Sequence, residues 1–332
     1  MFYSQLGNGS VQCGLCPRRC VLKDSQRGLC RVRVNYGGKL YSLVYGKPVS
    51  IHVDPVEKKP LFHFLPGSMS FSLATAGCNL SCIFCQNWEI SQAYPENTRH
   101  FNITPEEAVS NALKEGCKSI AFTYTEPTVF YEYMLETAKL AKQKGLKTIW
   151  VTCGFIEEEP LRELCKYLDA ANVDLKGFSE NFYSEYTNSS LQPVLKTFKI
   201  LKEENIHTEL TNLIIPNVND SEKMIKDMCD WIVANIGTEM PVHFSRFYPH
   251  YQLRNKPPTP VKTLLAAKKT AESKGIKYVY IGNVAGEELS DTYCPNCKRV
   301  LIKRLGYYIE TNNIKDGKCE YCGADIPGVW DF

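Results

Sequence analysis

Long apolar runs are missing from this sequence. No stretch reaches the roughly 18 uninterrupted apolar residues that a membrane span requires. The opening MFYSQLGNGS has neither a basic nor an apolar region, so no secretory leader is expected there. Both absences point to a cytoplasmic protein without a membrane span. Net charge is also scarce: 39 basic residues against 36 acidic ones leave +3. A nucleic-acid binder concentrates basic charge in a patch or stripe. The densest basic stretch here, Lys298-Arg299 with Lys303-Arg304, is short, so nucleic acid is not expected as a substrate. There is no internal repeat and no low-complexity tract. What remains is an ordinary globular chain, 44% hydrophobic, large enough for one sizeable core with small satellite modules.

Cysteine is what the sequence has in quantity. Fifteen cysteines in a reducing compartment point to metal ligation before disulfides. Eleven fall into three groups. The last reads CPNC, then 21 residues, then CEYC, and pairs Cys294 and Cys297 with Cys319 and Cys322. Two such knuckles predict a tetrahedral four-thiolate zinc site, with Gly323 relieving the second turn. In a tail this short, zinc would supply much of the folding energy. The first group, CGLCPRRC followed by Cys30, places Cys13, Cys16, Cys20 and Cys30 within 18 positions. It suits one metal centre, and both zinc and an iron–sulfur cluster meet the spacing. The middle group, GCNLSCIFCQN, differs in kind. Cys78, Cys82 and Cys85 supply three thiolates, which leaves one coordination position open, the mark of a reactive centre. The alternative is a zinc site completed by a distant His or Cys. The other four, Cys117, Cys153, Cys165 and Cys229, lie in apolar-periodic stretches and read as small buried hydrophobes.

From residue 69 onward strand-like and helix-like stretches alternate. Strands are expected at 69–75, 119–124, 147–153, 172–176, 207–215, 241–247 and 277–282. Helices are expected at about 128–144, 157–168, 220–235 (opened by Asp220) and 260–274, with a further start at Thr104-Pro105. This alternation predicts an α/β fold, a partial (β/α)6 TIM-like barrel over 69–287. A cysteine-rich module with short antiparallel strands (1–68) precedes it and a zinc ribbon (288–332) follows. In such barrels chemistry sits at the carboxyl ends of the strands. That rule selects the cysteine loop, Thr125-Glu126-Pro127, Asp174, Lys176, Asn217, Asn219, His243 and Gly282-Asn283. Arg246, Tyr248, His250 and Tyr251 suggest a polar mouth.

At these residues the sequence resembles the radical S-adenosylmethionine (SAM) superfamily. The C-x-x-x-C-x-aromatic-C pattern has Phe84 at its aromatic place, and the resemblance spans roughly residues 70–285. It is closest to the pyruvate formate-lyase-activating enzyme branch. CGLCPRRC…GLCRVR and the terminal ribbon resemble the AmmeMemoRadiSam system enzymes within that branch. The resemblance implies that Cys78, Cys82 and Cys85 bind three irons of a [4Fe-4S] cluster. S-adenosyl-L-methionine would chelate the fourth, and one electron would cleave it to a 5′-deoxyadenosyl radical that abstracts hydrogen. The family's G-G-E-P motif, which binds the methionine amino group, is here Tyr124-Thr125-Glu126-Pro127. Asp174 and Lys176 match the branch's D-x-K, and His243 matches a cofactor-contacting histidine on a late strand.

Two enzyme readings follow: action on an unidentified substrate directly, or activation of a partner protein by making a glycyl radical on it. A reductant such as flavodoxin or ferredoxin is implied, and AmmeMemoRadiSam proteins are candidate partners. A metal-stabilised binding module is the competing class, and the open three-cysteine spacing argues against it. Both outer cysteine modules read as structural or docking elements, the N-terminal one because Arg18, Arg19, Arg31 and Arg33 surround it. The rival is an auxiliary iron–sulfur cluster at the N-terminal quartet.

Overall fold

The computed structural model describes residues 1–284 and 289–330. Its centre is one eight-stranded sheet: β1 (Ser50–Pro55), β2 (Met69–Ala74), β3 (Ser119–Phe122), β4 (Lys147–Thr152), β5 (Ala170–Asp174), β6 (His207–Ile214), β7 (Val242–Arg246) and β8 (Val279–Gly282). The strands lie in sequence order. β1 is antiparallel to β2, every later pair is parallel, and the edge strands β1 and β8 do not pair with each other. The result is an open α/β barrel. Parallel strands covered on both faces should be apolar throughout, and all four residues of β3 are buried.

Crossovers between parallel strands carry α1 (Pro105–Lys114), α2 (Tyr131–Gln143), α3 (Glu158–Cys165), α4 (Leu191–Glu203), α5 (Glu222–Asn235) and α6 (Val261–Ser273). Local capping explains their starts. Thr104 accepts from the Glu107 N–H while Glu107 reaches back to the Thr104 N–H, a reciprocal capping box. Elsewhere the boundaries differ from the sequence reading. Pro127–Phe130 forms a separate 3-10 turn before α2. Ser221, not Asp220, caps α5; Asp220 instead accepts the Asn217 N–H at 2.9 Å. Strand β5 ends at Asp174, which leaves Lys176 in the loop beyond it. No helix among the described residues is long and apolar enough to cross a membrane.

The division at residue 68 cuts through this sheet, because β1 belongs to it. The division at 287/288 lies outside the described residues. Between β1 and β2 a strap, residues 56–65, crosses the amino ends of the strands. The Asn172 side-chain amide donates to Pro60 O at 2.7 Å, and the Glu209 carboxylate accepts the N–H groups of Phe62 and His63 at 2.9 and 2.7 Å. The C-terminal segment is sewn to the same strap. Val329 and His63 bond through their backbones, and Arg304 donates to Phe62 O at 2.8 Å. Arg304 is fully buried, with its guanidinium 4.2 Å from the Phe62 ring centroid, so the basic stretch of the sequence is not a continuous charged surface.

The N-terminal segment packs on the opposite end of the barrel. Arg33 makes a buried pair with Glu132 (2.8 Å), Arg19 grips Glu157 (2.9 Å), and Arg31 donates to Gln92 (3.1 Å). Arg18 donates to Asn79 O at 3.1 Å and lies over the Phe155 ring. These arginines therefore fasten the segment to the barrel. At the seam Gly77 has φ +93°, and a Cβ there would meet Val32 Cγ1 at 2.5 Å and Cys30 O at 2.6 Å. Only glycine lets the two cysteine-bearing loops touch so closely.

Candidate active site

The loop after β2 carries Cys78, Cys82 and Cys85, held from several directions. The N–H groups of Ser81 and Ile83 donate to Thr187 O and Tyr186 O at 3.0 Å, and Asn79 donates to Phe155 O at 2.8 Å. The Leu80 N–H points at Cys78 Sγ (3.4 Å), and Cys85 Sγ lies 3.2 Å from Ser91 Oγ. Phe84 is buried beside Phe182, with Lys176 Nζ 5.8 Å from its ring centroid. Burial raises the Cys78 thiol well above its ordinary range and pushes Cys82 up to about 12, so thiolates here need a compensating cation.

A cavity of about 530 Å³ opens in front of these sulfurs, a volume ordinary for a small-molecule site. Its walls include Thr125, Glu126, Asp174, Lys176 and His243, as the sequence reading expects, together with Gly282 and Asn283. Tyr124 occupies φ +63°, a conformation that glycine adopts freely and tyrosine adopts at a cost. Its hydroxyl bonds to Asp54 and its ring lies 4.8 Å from Lys59 Nζ, so side-chain anchorage holds a backbone shape that glycine would take unaided.

Glu126 is fully enclosed. Its carboxylate accepts from Thr128 N–H (3.1 Å) and hydroxyl (2.7 Å), Thr152 hydroxyl (2.9 Å) and Cys153 N–H (2.7 Å). Burial raises its pKa, and those donors pull the other way. Lys176 pairs with Asp174 at 3.0 Å. Burial opposes its charge, but Asp174 and the nearby thiols outweigh that and keep its pKa well above the ordinary lysine value. The pair is therefore part of the cavity wall and not a solvated surface bridge.

His243 is the second residue of β7, at the amino end and not the carboxyl end expected. Its Nε2 lies 2.6 Å from Glu209, and its ring sits between Phe62 and Tyr280. Burial opposes charge on Glu209, but hydrogen bonds from His207 and His243 hold its carboxyl well below the usual range. Asn219 braces the wall from behind, donating to Lys176 O at 2.7 Å. Asn217, Arg246, Tyr248, His250 and Tyr251 do not line the cavity; Arg246 bonds to Thr259 O and Tyr248, and Tyr251 stacks on Trp88.

Several wall residues escaped the sequence reading. Cys153 packs against the apolar core, as expected, but also lines the cavity; its place just after β4 was a usable signal. Cys117, Cys165 and Cys229 are buried as expected. Glu57, Lys58 and Phe62 enter from the strap and Tyr307 from the C-terminal segment, with no local motif to mark them.

The other two cysteine groups contrast. Cys294, Cys297, Cys319 and Cys322 bring their sulfurs within 4.8 Å of one another, with contacts of 3.6 and 3.8 Å. Four thiolates bound tetrahedrally at about 2.3 Å to one ion stand about 3.8 Å apart, so this donor set fits a single ion. Among the described residues no other group of three or more His, Cys, Asp or Glu ligand atoms meets that spacing. Cys13, Cys16, Cys20 and Cys30 nevertheless face one another, each within electrostatic reach of others in the set.

Residues 72–231 match the family model described as the radical SAM superfamily. The chain is 45% identical to an uncharacterized protein of Methanocaldococcus jannaschii over 99% of its own length and 98% of that protein's. It is 22% identical to the pyruvate formate-lyase-activating enzyme of Clostridium pasteurianum over 48% of this chain and 67% of that one. In fold it resembles a radical SAM methyltransferase from Sphaerobacter thermophilus, with TM-score 0.51, 15% identity and coverage of 66% and 67% of the two chains.

Proposed function

Because this chain belongs to the radical SAM superfamily and is an enzyme of that kind, we propose that Cys78, Cys82 and Cys85 hold its [4Fe-4S] cluster and that the adjoining cavity binds S-adenosylmethionine and a substrate. One observation carries this reading: three cysteines, Cys78 and Cys82 buried and Cys85 half-buried, with no fourth ligand in their loop, face a cavity of about 530 Å³. Their sulfurs are spread more widely than one ion draws its ligands, and cuboidal clusters hold their thiolates at separate corners. When bound, cluster and S-adenosylmethionine supply one-electron cleavage of the C5′–S bond, giving methionine and a 5′-deoxyadenosyl radical that abstracts hydrogen.

The chain's own residues do the positioning. Thr125 and Glu126 stand where the family's motif meets the methionine amino group, and the Glu126 carboxylate is held rigid by its donors. Lys176, oriented by Asp174, offers a cation to an anionic group, while Glu209 fixes the His243 ring. Phe62 and Phe84 help exclude water, which protects a reactive radical. Cys294, Cys297, Cys319 and Cys322 hold zinc as a structural ion. A cytoplasmic location and a flavodoxin or ferredoxin reductant fit this chemistry. CGLCPRRC and the C-terminal quartet support placement beside the AmmeMemoRadiSam system. Similarity to activating enzymes supports a second reading, a partner protein as substrate; trapping deuterium from labelled small molecules or from a labelled protein separates the two.

Anaerobic protein with dithionite and S-adenosylmethionine should release 5′-deoxyadenosine and methionine in equal amounts; none from iron-loaded protein would refute the reading. Glu126→Gln should weaken S-adenosylmethionine binding by roughly tenfold to a hundredfold, more than Lys176→Ala, since a charge-assisted bond is worth about 1.5–3 kcal/mol. Calorimetry of the two variants, with their melting temperatures alongside, checks this. Unchanged affinity in Glu126→Gln removes that residue from the binding role.

A further inference from the structure

We infer that Cys13, Cys16, Cys20 and Cys30 hold a second [4Fe-4S] cluster, closed by four thiolates, against the back of the Cys78–Cys85 loop. The two outer quartets share a ligand count but differ in geometry. The C-terminal sulfurs come as close as 3.6 and 3.8 Å, the separation one tetrahedral ion imposes. No three of the N-terminal sulfurs lie within 4.8 Å of one another, although each of the four is within electrostatic reach of others in the set. Cys20 Sγ and Cys30 Sγ stand 3.8 and 3.6 Å from the place a Cβ on Gly28 would occupy, so glycine leaves room between them. This is the wide spacing also seen for Cys78, Cys82 and Cys85, and it suits a cube of iron and sulfide, not a lone ion.

Placement gives the second centre a purpose. Cys30 O packs against Gly77, one residue before Cys78, and the Asn79 side chain faces the Cys16 thiol, one residue after it. Arg18 bonds to Asn79 O, and Arg33, anchored to Glu132, holds the module in place. Four protein ligands leave no open iron, so this centre suits electron carriage and not S-adenosylmethionine binding. When loaded it would supply one-electron transfer, accepting an electron from a low-potential donor of the flavodoxin or ferredoxin class and passing it to the cluster proposed at Cys78, Cys82 and Cys85. No bond forms or breaks and no proton moves.

The test is metal content and spectroscopy, not turnover. Protein with Cys78, Cys82 and Cys85 all replaced by Ala, reconstituted anaerobically with iron and sulfide, should retain about four iron and four sulfide with about one zinc. Dithionite should bleach its visible absorbance and generate the paramagnetic signal of a reduced cluster. Colourless protein with about two zinc and no iron overturns the inference. Should that variant not fold, wild-type protein decides: about eight iron and one zinc supports the second cluster, while about four iron and two zinc refutes it. In reduced wild-type protein the paramagnetic spectrum should be broadened by the neighbouring centre. A spectrum with no broadening overturns the contact between the two sites.

Discussion

Replacing Cys78, Cys82 and Cys85 together with Ala should lower 5′-deoxyadenosine formation by more than about a thousandfold, to background, because the bound cofactors carry the hard chemistry and these thiolates hold them. The fold should survive. Alanine is smaller than cysteine, and the loop's shape rests on contacts that the substitutions leave alone. Those are the Ser81 and Ile83 N–H bonds to Thr187 and Tyr186, the Asn79 bond to Phe155, and the stacked pair Phe182–Tyr186 at 5.3 Å. The C-terminal quartet lies beside two small sheets separate from the barrel sheet, packed on Phe62 of the strap, and should still bind its metal. Circular dichroism and zinc content report the fold; chromatography of the nucleoside product reports the chemistry. Persistent 5′-deoxyadenosine from this folded variant would falsify the central assignment.

Glu132→Gln should destabilise the protein by about 3–5 kcal/mol, the usual loss when one partner of a buried ion pair is removed. The Arg33 side chain is 3% exposed and that of Glu132 17%, so the guanidinium left behind cannot recover its hydration. Arg33 also donates to Val129 O, so it cannot swing out without breaking a second contact. Burial works against the Glu132 carboxylate, but Arg33 outweighs it and sets its pKa at about 2 instead of 4.5. A carboxylate depressed in the folded state stabilises above its ordinary pKa and loses that contribution as pH falls. The advantage of wild type over Glu132→Gln should therefore be full above about pH 4.5. It should then shrink by about 1.4 kcal/mol per pH unit towards pH 2. Urea melts of both proteins at matched pH give this difference, and losses common to both, such as acid release of metal, cancel. A constant gap between pH 7 and 3 would show that the pair is not what holds the N-terminal segment on the barrel. Replacing both partners with apolar residues should recover most of the loss.

The sequence was informative wherever cause and effect lie a few residues apart. Three cysteines at close spacing announce an open cluster loop because all three ligands come from one turn of chain. Two C-x-x-C knuckles announce an ion because each supplies a preformed pair of sulfurs. Thr104 with Glu107 starts a helix for the same local reason, and alternating strands and helices imply a parallel sheet. The glycine-like backbone at Tyr124 was not legible, since it depends on Asp54 and Lys59 from the neighbouring edge strand and strap. His243 was misplaced because spacing marks a strand but not how far along it a residue sits.

What the sequence determined by itself, then, is the set of donors and the order of the strands. Short-range geometry limits both: ligand spacing, capping and the two-residue period of a strand. Only the tertiary structure decided which distant groups share a cavity. Phe62 reaches the cavity because Glu209 grips its N–H from 147 positions away, and Arg304 is buried because Phe62 O, 242 positions away, needs a donor. The same holds for the two cysteine-bearing loops. Their contact depends on Gly77, Val32 and Cys30 meeting after the barrel has formed, and no periodicity in the chain records that meeting. Buried polar groups must find partners wherever packing brings them, and that requirement acts through space and not along the sequence.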